Sequence, residues 1–206
     1  LGGALASQSG KICILPQPVK IKATKPSIAS GISLVPSDRK TEGLLLDLPI
    51  RQNLALTSLK DRKRMRMFID KKKEEAFSHD MVKRLSIKTH SINSLASSLS
   101  GGNQQKVVLG KAIATSPKVI LFNEPTRGID VEAKREFYSI MRQYAQQGIA
   151  VIMCSSDMPE IIGMCDRVLV MYEGAVSAVI CGKDISEETI MRAAVGLGTD
   201  NKGGSL

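Results

Sequence analysis

The 206 residues are 43% hydrophobic, enough for one ordinary core and a small second subdomain. No apolar run approaches the ~20 residues that span a bilayer and no signal-peptide pattern opens the chain, so any link to a membrane is expected to come through a partner. The formal charge of +9 gathers at Lys60–Arg66 (KDRKRMR) and Lys71–Lys73. Its plain reading is a solvated helix face; an anionic membrane surface or nucleic acid are the sharper ones. Aromatic residues make up 3% with no Trp, so stacking platforms for single-stranded nucleic acid are nearly absent. Cys13, Cys154, Cys165 and Cys181 are scattered singly, which argues against a zinc site or disulfide framework and for a reducing compartment. Cys154, in an apolar run, is expected to be a small core residue. The chain opens on Leu1 rather than Met, which leaves fragment status open.

The chain order begins with short strands at Ile12–Leu15 and Val19–Ile21, divided by Pro16 and Pro18, and a third at Ile32–Val35 closed by Pro36. Residues 37 to 60 read as an irregular polar connection. A charged helix is expected from about Arg64 to Leu85, with Met67, Phe77, Met81, Val82 and Leu85 at three- and four-residue steps. Ser91 to Ser98 is a Ser-rich loop. After Ser100 helix and strand alternate: a helix over Asn103–Thr115, a buried strand over Lys118–Phe122, and a helix with Ala133, Phe137, Ile140, Met141, Tyr144 and Ala145 on one face, closed by Gly148. Ile149–Cys154 and Val168–Met171 follow as buried strands, and Glu173–Gly174 turns the latter into an edge hairpin with Ala175–Ile180. Continuous apolar strands between helices predict an α/β fold whose parallel sheet is covered on both faces.

Two stretches carry chemistry. In Leu99-Ser100-Gly101-Gly102-Asn103-Gln104-Gln105, Ser100 reads as an N-cap and the glycines expose amides at a helix start, where unpaired donors suit phosphate. By itself this is better explained by a capped helix after a Ser-rich loop; its place one helix before a strand ending in Asn-Glu shifts the reading toward phosphate. One helix later, Val119 to Phe122 runs into Asn123-Glu124-Pro125-Thr126-Arg127-Gly128, a strand that ends in side chains able to hold a metal and activate water.

LSGGNQQKV followed by VILFNEPTRGIDV resembles the signature and Walker B segments of ATP-binding cassette (ABC) ATPases, and the wording is similar to the second, C-terminal cassette of bacterial sugar importers. VPSDRKTEGL at 35–44, PIRQNLAL at 49–56, CSSDMPEIIGMCDRVLVMYEG at 154–174 and EETIMRAAVG at 187–196 extend the resemblance over nearly the whole chain. It implies a P-loop NTPase-like parallel sheet with flanking helices, a small antiparallel β region and a helical subdomain. The corresponding division is 1–36 (β subdomain and core remnant), 37–98 (Q-loop-like segment and helical subdomain) and 99–206 (ATPase core). It also implies ATP and Mg²⁺ as cofactors. Ser100, Gly101, Gly102 and Gln104 then match the signature that grips the γ-phosphate of ATP held by an opposing cassette. Glu124 matches the water-polarising glutamate, and Asp130 the D-loop aspartate that crosses the dimer interface.

Departures accompany these matches. Ser37 stands at the Q-loop position and Ser156 at the switch-histidine position. Asn123 replaces the Walker B aspartate, offering Mg²⁺ one neutral oxygen in place of a charge; its plainer reading is a strand cap. No G-x-x-x-x-G-K-[ST] occurs in the sequence. GALASQSGKI at 3–12 includes Gly10-Lys11 but lacks the first glycine, the hydroxyl and a preceding strand, and is expected to be a decoy. On the resemblance, the chain starts downstream of its own P-loop.

The resulting expectation is the ATPase subunit, or a fragment of one, of a carbohydrate ABC importer. It would work with an N-terminal cassette of the same parent protein and with transmembrane permease subunits, docked near Ser37–Arg51, at the cytoplasmic face of the inner membrane. No specific nucleic-acid partner is expected. A soluble ABC ATPase acting on nucleic acid or the ribosome, and an inactive regulatory remnant, are the alternatives.

Overall fold

The computed structural model describes residues 2–3, 9–14, 17–64 and 68–197. It divides into two compact units, Leu1–Cys154 and Ser155–Leu206.

The first unit opens with an antiparallel pair, β1 (Ile12–Ile14) and β2 (Gln17–Val19). Gly10 and Lys11 are exposed and lead straight into β1, so they do not join a strand to a helix as a phosphate cradle would; residues 4–8 of that stretch lie outside the described residues. A short helix α1 (Thr24–Ala29) precedes β3 (Ile32–Val35). Where a polar connection was expected, the chain instead makes a tight helical turn over Arg39–Gly43 and a buried helix α2 (Ile50–Ala55). Asn53 knots this region together. Fully buried, it accepts from the Leu45 amide and donates to the carbonyls of Leu45, Leu48 and Pro49 at 2.9–3.3 Å.

The expected helix from Arg64 starts later. Lys63–Arg64 (β4) pairs with Phe68–Ile69 (β5), and α3 runs Lys71–Arg84. Asp70 caps it by accepting from the Lys73 amide at 3.2 Å, a local bond that fixes the start more sharply than apolar spacing can. Met81 and Leu85 are buried as the pattern predicts, and Met67 lies outside the described residues. Lys71–Lys73 are exposed on the first turn, while the side chains of Lys60–Arg66 lie outside the described residues.

Helix α4 (Gly101–Ile113) leads to β6 (Val119–Asn123), then α5 (Val131–Gln146) and β7 (Ala150–Cys154). The parallel sheet has the order β3-β6-β7, with Leu34 beside Leu121 and Leu121 beside Ile152. Alternation puts Ser33, Val35, Ile120 and Phe122 on one face. That face is closed by helices: the Ser33 and Thr115 hydroxyls are 2.6 Å apart, and Phe122 meets Phe137 of α5 edge-on, with centroids 6.0 Å apart. On the other face, Ile32 and Leu121 pack with Ile12, Ile14, Val19 and Ile21.

This second face is only part covered, which corrects the expectation of a sheet buried on both sides. Leu34 and Ile152 are 46% and 47% exposed, and Ala150 and Cys154 share the open side. Cys154 is therefore an exposed thiol and not a core residue.

The second unit holds α6 (Met158–Met164), the hairpin β8 (Arg167–Tyr172) and β9 (Ala175–Cys181), and α7 (Glu187–Ala194). The hairpin around Glu173–Gly174 is as expected, with Leu169 opposite Val179. Val168, Val170, Ile180, Ile190 and Ala193 form its core, while Leu169, Met171 and Val179 on the other face are exposed. β8 is thus half-buried, because among the described residues only β9 pairs with it.

Candidate functional site

The carboxyl end of β6 carries the first group of predicted residues. Asn123 is the last residue of the strand, in register with Cys154, and is exposed. Glu124 has φ +46, the left-handed region that non-glycine residues seldom adopt, and its amide donates to the Cys154 carbonyl at 2.8 Å. That reversal ends the ladder and re-aims the Glu124 side chain. Pro125 and buried Thr126 follow, and Gly128 supplies a second positive φ of +68. Asp130 is exposed and caps α5 by accepting from the Ala133 amide at 2.8 Å. The loop is therefore held at one end by a backbone bond and at the other by the Asp130 side chain.

The start of α4 is the second group. Ser100 stands at the N-cap position but does not cap. Its hydroxyl accepts from the Asn103 amide nitrogen at 2.9 Å, and Asn103 in turn accepts from the Lys88 amide at 2.8 Å. The first turn of α4 is consequently left without a capping bond from its N-cap side chain. Packing demands glycine at 102 and favours it at 101. A Cβ on Gly102 would lie 2.5 Å from Cβ of Ala133, and one on Gly101 would lie 2.8 Å from a guanidinium nitrogen of Arg39 and 3.2 Å from the Gly128 carbonyl oxygen. Gly101 and the loop after β6 are thereby neighbours. Gln104 is buried, donating to the Ala96 carbonyl at 3.3 Å and accepting from Arg39 Nε at 3.4 Å.

Ser37 lies in the bend after β3, partly buried. Beside it the Thr41 hydroxyl, then the Lys40 and Thr41 amides, hold the Asp38 carboxyl below its ordinary 3.8. Ser156 belongs to the second unit and is exposed, in a turn fixed by its neighbours. Ser155 donates to the buried Glu160 carboxylate, and Asp157 caps α6 by accepting from the Glu160 amide at 3.3 Å.

Sequence reasoning missed two polar links between distant segments. Arg39 reaches Gln104, Arg127 and Gly128. Lys106, on α4, is buried and donates to the Ser86 carbonyl at 2.9 Å and to Glu136 of α5 at 2.6 Å. The only prior signal for the first was Gly101, whose missing side chain makes the room.

The site fits phosphate on one observation, the uncapped first turn of α4. For a divalent cation the fit is partial: Asn123 and Glu124 offer one amide and one carboxylate, and among the described residues no three His, Cys, Asp or Glu side chains could share a metal. Further ligands would have to be phosphate oxygens and water.

The chain is 47% identical over 188 residues to the ribose import ATP-binding protein RbsA of Shouchella clausii, covering 91% of this chain and 38% of that protein. It is 42% identical over 195 residues to the xylose import ATP-binding protein XylG of Moorella thermoacetica, covering 95% and 38%. It thus spans less than two fifths of the length of these relatives. A nucleotide-free ATP-binding cassette from an ABC transporter superposes with a TM-score of 0.76 at 18% identity, covering 94% of this chain and 80% of that one, which establishes the P-loop NTPase-like fold. The ABC transporter family matches residues 1–127, and this chain belongs to that family.

Proposed function

We propose that this chain serves in the C-terminal nucleotide-binding cassette of a carbohydrate importer, coupling ATP binding and hydrolysis to sugar uptake. The observation that carries the reading is the contact of Gly101 with the loop following Asn123–Glu124. It joins the signature-like helix start to the end of the Walker B-like strand. The 47% identity to a ribose import ATP-binding protein supports the sugar-importer class. Within this reading the segment 37–98 serves as the helical subdomain and 99–206 as the ATPase core.

Bound ATP with Mg²⁺ supplies the γ-phosphoryl group and the charge that gathers its oxygens. The chain's own residues do the rest by placement. The free amides of the first α4 turn and the Ser100 hydroxyl bind phosphate oxygens presented by an opposing N-terminal cassette. The Glu124 carboxylate, aimed out of the ladder by its left-handed backbone, orients water and accepts its proton. Asn123 presents a neutral oxygen to the metal, weaker support than an aspartate would give. Gln104 acts from beneath, since both ends of its amide are engaged inside the protein. Asp130 faces the opposing cassette while capping α5, and Ser37 and Ser156 take the Q-loop and switch positions.

None of the helices among the described residues is long and apolar enough to cross a membrane. Transmembrane permease subunits that dock near Ser37–Arg51 would hold the protein peripherally at the cytoplasmic face of the inner membrane. The test is ATP-dependent ribose uptake by proteoliposomes holding the full transporter, with and without Glu124→Gln. Uptake is expected to fall at least tenfold in the variant, within the range for lost general-base catalysis. Uptake at the unmodified level in Glu124→Gln, or steeply salt-dependent RNA binding by the chain in its place, would overturn the assignment.

A further inference from the structure

We propose that Arg39 is a positioning residue: it fastens the loop carrying Glu124 and Asp130 to the first turn of α4, so that the two edges of the nucleotide site move as one body. The proposal rests on the function proposed above for its catalytic consequence, but not for its structural claim.

Arg39 is built as a fixed strut. Its backbone begins the Arg39–Gly43 turn, where Asp38 accepts from the amides of Lys40 and Thr41 at 2.9 and 3.2 Å. The far end of that turn rests on α4. A Cβ on Gly43 would lie 2.8 Å from a methyl of Val108, and Lys111 of α4 donates to the Gly43 carbonyl. From this base the guanidinium reaches across 88 and 89 residues of chain. Its two terminal nitrogens donate to the carbonyls of Arg127 at 2.8 Å and Gly128 at 3.0 Å, while Nε faces the Gln104 side chain at 3.4 Å. Gly101 lacks a side chain where one would strike the guanidinium.

The chemistry explains why arginine is used. Two adjacent carbonyls and a side-chain oxygen are three acceptors that a rigid fork of donors can serve together, whereas an ammonium is a single point donor. All of the partners are uncharged, so the bonds fix geometry without neutralising a charge the site needs. Gly128, at φ +68, is the point of greatest backbone freedom between Glu124 and Asp130, and the fork adds an outside anchor to the turn bonds Arg127–Glu124 and Ile129–Thr126. Arg39 follows Ser37 by two residues, so the strut also ties the bend after β3 to that loop. A displacement of the bend is passed to the segment holding the water-orienting carboxylate.

Hydrogen exchange on the 206-residue chain tests the linkage without any nucleotide. In Arg39→Ala, the hydrogen-bonded amides of Arg127, Ile129 and Gln104 are expected to exchange about tenfold faster, the loss of roughly one net hydrogen bond's protection. Those of α6 should be unchanged. Arg39→Lys should recover only part of the protection. Exchange at Arg127 and Ile129 within twofold of wild type in Arg39→Ala, with α6 unchanged, would overturn the proposal. Should that variant not fold, wild-type protection in Arg39→Lys would do so. In the full transporter, Arg39→Lys is expected to lower kcat for ATP hydrolysis about tenfold while KM for ATP changes less than threefold, the mark of misplaced catalytic groups. A loosened loop with unchanged kcat would also refute the positioning role. A wild-type transporter without ATPase activity would refute the proposed function and leave the exchange result standing.

Discussion

Lys106 Nζ lies 2.6 Å from Glu136 Oε2, joining the signature-like helix α4 to α5 by an ion pair whose lysine side chain is only 2% exposed. Lys88 approaches the other carboxylate oxygen at 3.7 Å, so the end of the helical segment shares the same acid. Hydrogen bonding from Lys106, opposed by burial and aided by the charges of Lys106 and Lys88, holds the Glu136 carboxyl below its ordinary 4.5. A depressed carboxyl contributes its stability above the unfolded value and loses it as pH falls through the folded one. Urea midpoints should therefore drop faster below pH 4.5 in the wild type than in Glu136→Gln. At pH 7, Glu136→Ala should cost about 1–3 kcal/mol, because the buried ammonium keeps only the Ser86 carbonyl. Parallel pH profiles in wild type and Glu136→Gln would show that the pair contributes nothing.

Gly102→Ala should separate α4 from α5. Its new methyl would stand 2.5 Å from Ala133 Cβ, and the overpacking is expected to destabilise by about 1–3 kcal/mol. Adding Ala133→Gly removes the collision, so a double-mutant cycle by denaturant titration should return a coupling of similar size. Additive losses would mean that the helices do not meet there.

Asp130 serves α5 as well as the proposed interface, and substitutions divide the two roles. Asp130→Ala should lose about 0.5–2 kcal/mol of stability and Asp130→Ser almost none, since serine also caps. Thermal melts report the cap; ATPase assays of the full transporter should find both variants impaired.

Asn123→Asp places a carboxylate at the exposed end of β6, beside Glu124. The full transporter carrying it should need less Mg²⁺ for half-maximal ATP hydrolysis and turn over faster, by roughly tenfold to a hundredfold if the charge contributes ~1.5–3 kcal/mol. An unchanged Mg²⁺ titration would leave Asn123 as a strand end only.

The strands of the parallel sheet were legible because each is a short apolar run between helical periods. Helices α1 and α2, six residues each, are shorter than the two turns needed to display a period, although α2 buries Ile50, Leu54 and Ala55 alongside the polar knot of Asn53. The open face of the sheet was illegible: Ile152 and Cys154 are as apolar as buried residues, and composition does not say what covers them. Within the site, the motif wording placed Glu124 and the helix start of α4. The struts of Arg39 and Lys106 were missed, because polar contacts 65 to 89 and 30 residues apart in sequence leave no local pattern.

Among the described residues β7 pairs with β6 alone; the Ala150 amide and the Cys154 carbonyl are bonded on the β6 side, so the amides and carbonyls of Val151 and Met153 form the row on the other edge. Its sequence, AVIMC, has neither the lysine nor the proline that commonly guards a strand border. Such a border invites a second copy to continue the ladder. Self-association through this border is the expected consequence: scattered light should climb with concentration at temperatures where circular dichroism is still that of the native fold.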